Sequence, residues 1–149
     1  MSTMTEPLSK QRLLVWRRLL SAQRGMESFL REKMRVAYDC TLPRFDVLSA
    51  LNRHRPGLRM SDLSAKLKVS NGNVTGIVDR LAVDGQVERV SVDGDRRAMR
   101  VRLTPAGVTQ FAEMAAQHEV WVDQFLATHD GQDLETLGAL LARVGGDRK

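Results

Sequence analysis

Apolar residues recur along the chain with two different periods, and the change from one to the other divides it. Leu13, Trp16, Leu20, Met26, Phe29, Leu30 and Met34 fall at helical spacing and predict one helix from Leu8 to about Tyr38. Leu14, Val15 and Leu19 widen its stripe beyond one face. A helix of about 30 residues spans roughly 45 Å. That is more than the core of a 149-residue chain can cover, so the surplus apolar surface predicts burial against a second copy. A second helix begins near Leu42, with Pro43 in its first turn, where a missing amide costs nothing. It carries Phe45, Val47, Leu48 and Leu51 and ends at Arg55-Pro56-Gly57. Leu58-Arg59-Met60 reads as a short extended piece.

Met60 to Arg80 reads as two short helices around a break at Ser70. Ser61 is positioned to cap the first, Asp62 suits its first turn, and Leu63 and Leu67 share a face. The second has an apolar back of Val74, Ile77, Val78 and Leu81, a polar first turn of Ser70, Asn71, Gly72 and Asn73, and then Thr75. It ends at Asp84-Gly85, where glycine can take the left-handed position. A helix with an apolar back and a small polar tip is how the second helix of a helix-turn-helix enters the major groove. A helical hairpin that only packs gives the same short pattern.

The period then drops to two. Gln86 to Val90 alternates, Asp93-Gly94 is a turn dipeptide, and Met99, Val101 and Leu103 alternate with Arg100, Arg102 and Thr104. A β-hairpin tipped by Arg96 and Arg97 is predicted directly after the helix-turn-helix, which makes a winged helix. Such a tip can place an arginine in the minor groove. Helical spacing returns with Thr104-Pro105 as the start of a long helix to about Thr128, carrying Val108, Phe111, Ala115, His118, Val122 and Phe125. His129-Asp130-Gly131 is expected to break it. A last helix from Asp133 to about Val144 carries Leu134, Leu137 and Leu141 and stops at Gly145-Gly146. The fold class is mainly α with a small β-hairpin wing.

Charge sharpens this picture. Residues 1–102 hold 20 Lys+Arg against 11 Asp+Glu, a balance of +9, while residues 103–149 hold 3 against 7, a balance of −4. One part is built to meet a polyanion and the other is not. No run of about 18 apolar residues occurs, so no membrane span is expected. The N-terminus lacks the apolar segment of a secretion signal, and the single Cys40 precludes a disulfide within the chain. A reducing cytoplasm is the expected compartment.

Order of elements and residues together resemble the MarR family of bacterial transcription regulators across nearly the whole chain. Asp95-Arg96-Arg97 followed by Val101-Arg102-Leu103-Thr104-Pro105-Ala106-Gly107 is similar to the family's wing signature, Asp-x-Arg, a strand and Leu-Thr-x-x-Gly. Asn73-Val74-Thr75 with Val78-Asp79-Arg80-Leu81 is similar to its recognition helix, and Gly85 to the glycine before the wing. The resemblance implies one domain over 1–149, with 8–38 and 105–145 as dimerisation helices and 42–104 as the winged helix-turn-helix. It implies a homodimer on palindromic double-stranded DNA, with Arg97 in the minor groove and Asp95 bracing the wing. In the major groove, Ser70, Asn71, Gly72, Asn73 and Thr75 are the expected contacts. Asparagine can pair bidentately with adenine, and a threonine methyl can touch thymine. Arg80, in the third turn, is expected at a phosphate or in a structural role rather than at a base.

No phosphate loop, catalytic constellation or metal cluster is visible, so no enzyme activity, cofactor or metal is expected. Within the family, small molecules bind between the dimerisation helices and the winged helix. Trp16, Leu20, Arg24, Phe45, Met114 and His118 are the expected wall residues. An arginine there suits an anionic or aromatic effector, such as an aromatic carboxylate or a CoA thioester. The plainer readings are a packed His118 and a solvated Arg24. Redox sensing in one branch of the family uses a cysteine near the start of the first helix, a position Cys40 does not occupy. The expectation is therefore a dimeric DNA-binding regulator, a repressor released by a small ligand. The rival is a basic helical module that binds acidic protein or membrane surfaces.

Overall fold

A computed structural model describes the backbone of residues 6–92 and 95–146, and the side chains of these residues except 92–98. The Asp93-Gly94 turn lies outside the described residues. The chain runs α1 (Leu8–Tyr38), α2 (Leu42–Arg53), β1 (Leu58–Arg59), α3 (Met60–Leu67), α4 (Asn71–Val83), β2 (Val87–Val92), β3 (Asp95–Leu103), α5 (Pro105–Phe125) and α6 (Gly131–Val144). The strands form an antiparallel sheet in the order β1-β3-β2. Leu58 pairs with Val101 and Val87 with Leu103, and the register shifts at Ser91/Val92 near the tip.

The capping chemistry sets most boundaries. Thr41 accepts a hydrogen bond from the Arg44 amide and Pro43 sits in the first turn of α2. Ser70 accepts from the Asn73 amide at the start of α4, and Thr104 from the Gly107 amide at the start of α5. Three expectations need correction. Ser61 does not cap α3, which starts one residue earlier, at Met60, after an extended Arg59 with no side-chain cap. α5 stops at Phe125 rather than near Thr128. The break holds His129 and Asp130 as expected but not Gly131, which is the first residue of α6, two residues before the expected Asp133, because the Asp130 side chain accepts from the Asp133 amide and supplies the cap.

The core lies under the winged helix. Val47, Leu48 and Leu51 of α2, Leu63 of α3, Val74, Val78 and Leu81 of α4 and Val101 of β3 are all fully buried. α5 is laid across it by aromatic pairs, with ring centroids at 5.4 Å for Phe45–Phe111, 6.2 Å for Tyr38–Trp121 and 5.4 Å for Phe29–Phe125. Beyond this core the long helices have nothing to cover them. Of the 31 residues of α1 only Met34 is buried, and Trp16 is 58% exposed. In α6 nothing is buried, and Leu134, Leu137, Leu140, Leu141 and Val144 lie open. No helix among the described residues is long and apolar enough to cross a membrane.

Candidate nucleic-acid interface

α4 is anchored by its back and open at its front. Val74, Val78 and Leu81 are buried, while Ser70, Asn71, Gly72, Asn73, Thr75, Gly76, Asp79 and Arg80 are exposed. The sequence dictates this directly: the buried positions recur every three to four residues, so the small polar ones between them face away. The first turn is fixed by three hydrogen bonds. Ser70 Oγ accepts from the Asn73 amide at 3.3 Å, Thr75 Oγ1 donates to the Asn71 carbonyl at 2.9 Å, and Ser64 Oγ of α3 donates to Asn71 Oδ1 at 2.5 Å. The last bond crosses the turn, in which Lys68 takes a left-handed conformation with φ of 55°.

The wing is tied to this helix by one ion pair and braced within itself by another. Arg89 of β2 donates to Asp79 of α4, and Arg102 of β3 pairs across the ladder with Glu88 at 2.8 Å. These pairs are solvent-exposed, so they orient rather than stabilise. At the wing root, the Thr104 hydroxyl donates to the Gly85 carbonyl at 2.6 Å and accepts from the Gly107 amide at 3.0 Å. The Thr104 amide donates to the Gln86 carbonyl at 3.1 Å. A Cβ on Gly107 would meet that same carbonyl at 1.9 Å. The Leu-Thr-x-x-Gly stretch is therefore a clasp between the end of α4, the wing and α5. The backbone of Asp95, Arg96 and Arg97 belongs to β3. Their side chains lie outside the described residues, so the expected minor-groove arginine and its acidic brace do too.

The expected effector residues do not gather at one place. His118 stacks on Phe45 at 4.7 Å, and Met114 is buried and borders a small hollow with Tyr38 and Gln110. Trp16 and Arg24 are exposed and Leu20 is half-buried. None of the six borders the cleft of about 910 Å³ between the end of α1, the start of α2 and α4. That cleft is lined by Arg31, Arg35, Cys40, Arg44, Asn73, Ile77 and Arg80 among others. Three of its arginines are already paired, Arg31 with Glu27, Arg35 with Glu32 and Arg80 with Asp84. Spacing in the sequence could not show it, because its walls come from two separate stretches, 31–44 and 69–80. Burial pushes the Cys40 thiol up, which disfavours the reactive thiolate. Burial also lowers the His118 pKa, with Asp46 opposing, and raises that of Asp46, with His118 opposing. No group of three or more potential metal ligands occurs among the described residues.

A helix-turn-helix with a polar-tipped second helix and an antiparallel hairpin braced against it defines a winged helix-turn-helix protein. Residues 38–98 match the model described as MarR family. The HTH-type transcriptional regulator YfiV of Bacillus subtilis is 41% identical over 66 residues, 44% of this chain and 41% of that relative, so the match spans less than half of YfiV. A MarR family transcriptional regulator from Silicibacter pomeroyi has the same fold at TM-score 0.81, with 28% identity over 97% of this chain and 100% of that one. Sco3205 of Streptomyces coelicolor, a MarR family regulator in complex with DNA, matches at TM-score 0.80 with 23% identity over 97% and 91% of the two chains. The winged helix-turn-helix part of the chain is thus similar to the MarR family, and its whole fold is similar to that of a MarR family transcriptional regulator.

Proposed function

We propose that the protein is a homodimeric regulator that binds a palindromic operator and releases it when a small anionic or aromatic ligand binds, acting as a repressor. The observation that carries the reading is the front of α4, a capped, exposed, polar turn on a helix whose back is locked in the core. Ser70, Asn71, Gly72, Asn73 and Thr75 meet the major groove, Arg80 a phosphate, and Asp95, Arg96 and Arg97 form the wing contact in the minor groove. The fold of Sco3205, which is in complex with DNA, supports this use of the same elements. The open apolar faces of α1 and α6 support the dimer, since five large side chains of α6 stay exposed in one copy. Two copies present two recognition helices for half-sites about one helical turn apart.

Effector binding between the long helices and the winged helix, beside the Phe45–His118 stack, would favour a spacing that no longer fits those half-sites. The test is a titration of the protein with fluorescent duplexes from the region upstream of its own gene, against a shuffled duplex of equal composition. Preference for one palindromic duplex, lost on addition of benzoate or of an acyl-CoA, supports the reading. Equal binding to both duplexes overturns it and favours a general polyanion-binding surface.

A further inference from the structure

The hydrogen bonds inside the first turn of α4 decide what its side chains can still offer to a base. Asn71 and Asn73 are equivalent in sequence terms, since each carries one donor group and one acceptor group. The structure makes them different. The Asn71 carbonyl oxygen accepts the Ser64 hydroxyl at 2.5 Å, from the half-buried serine of the neighbouring helix. The two ends of a carboxamide point apart, so pinning the oxygen toward α3 turns the Nδ2 group outward on this exposed residue. Adenine is read bidentately by an amide that donates to N7 and accepts from N6, whereas guanine shows two acceptors, N7 and O6, on the same edge. Thr75 is likewise committed: its hydroxyl donates to the Asn71 carbonyl of the backbone at 2.9 Å. What it has left is a methyl group and the lone pairs of its hydroxyl, with no hydrogen to donate.

We propose that Ser64 sets the base preference of α4: it holds Asn71 as a donor-only reader of guanine, while Thr75 reads a thymine methyl and Asn73 remains the amide able to read adenine. This rests on the DNA-binding reading above and deepens it. Ser64 is a positioning residue, for it acts on DNA only through the orientation of Asn71.

The test is selection from a pool of randomised duplexes followed by sequencing, with the full-length protein and four variants. The wild type should enrich a half-site with guanine at the position that responds to Asn71→Ala. Ser64→Ala frees the amide to rotate, and preference at that one position should move from guanine toward adenine by about tenfold, with the other positions unchanged. Asn71→Asp keeps an acceptor for Ser64 but presents only acceptors outward, so guanine should give way to cytosine, whose edge is a donor. Thr75→Ser keeps the hydroxyl bond and removes the methyl, and should lose the thymine preference. A loss of affinity without change of base identity in both Ser64→Ala and Asn71→Asp overturns the proposal, because a purely structural bond predicts that outcome. If the wild type enriches no sequence, the failure lies with the DNA-binding reading itself. Melting curves of each variant separate both results from unfolding, and the aspartate variant keeps the test decisive should Ser64→Ala unfold.

Discussion

At the scale of single residues, sign depends on what surrounds an atom. Gly76 and Gly107 are both helical glycines, but a Cβ on Gly76 meets nothing within 4 Å, whereas on Gly107 it strikes the Gln86 carbonyl. Gly76→Ala should raise stability by roughly 0.5–1 kcal/mol through helix propensity. Gly107→Ala should lower it by about 1–3 kcal/mol or more, since the clash is with backbone. Thermal melts of the two variants check the opposite signs. His118 gives a pH prediction. Burial holds its pKa below the usual 6.5, so on acidification the unfolded chain takes up the proton first. Stability should therefore fall as pH drops below about 6.5. His118→Phe, which can still stack on Phe45, should flatten that fall in urea titrations at pH 7 and 5. Asp46 works in the opposite direction at lower pH. Its raised pKa penalises the folded carboxylate, and the penalty disappears as the group is protonated.

At the scale of elements, α4 and the wing should separate into two kinds of contact. Asn73→Ala should cost about 1–3 kcal/mol at one base pair and relax specificity there. Arg97→Ala should weaken all duplexes alike and reduce the slope of log affinity against log salt by about 1. Titrations at two salt concentrations distinguish them, and an unchanged slope for Arg97→Ala would remove the wing from the interface. Much of this scale was legible in the sequence. α1, the break at Ser70 and the start of α5 at Thr104-Pro105 stand where spacing and side-chain chemistry put them, because these signals are local. Ser61 and Gly131 misled for a related reason. A serine beside a helix start is only one of several ways in, and a glycine after a capping aspartate is tolerated in the first turn. The Ser64–Asn71 bond and the Asp79–Arg89 pair had no sequence signal, since both depend on how two elements pack. Pairing of β1 with β3 was hidden too, in a piece of two residues.

At the scale of the whole molecule, the long helices present apolar surface that one copy does not cover. Leu137 and Leu141 lie on the same face of α6, one turn apart, and each is 40–44% exposed. Replacing both by Glu should leave the single chain folded, because neither is in its core, but should yield monomers in sedimentation. Operator affinity should then fall steeply, as each recognition helix would bind a half-site alone. A dimer that survives the double substitution would take α6 out of the interface.

The clasp at Gly107 bears on how such a molecule can move. With Thr104 joined to Gly85 and Gln86, and Gly107 flush against the same carbonyl, α5 has no hinge where it meets the wing. It works as a lever with the winged helix fixed to one end. Its 21 residues span about 31 Å, so a swing of about 5° at one end moves the other by roughly 3 Å. That is close to the distance between successive base pairs, about 3.4 Å along a strand. A small rotation of α5 about its Phe125 end would therefore carry the winged helix, clasped to the other end, through a step of nearly one base pair.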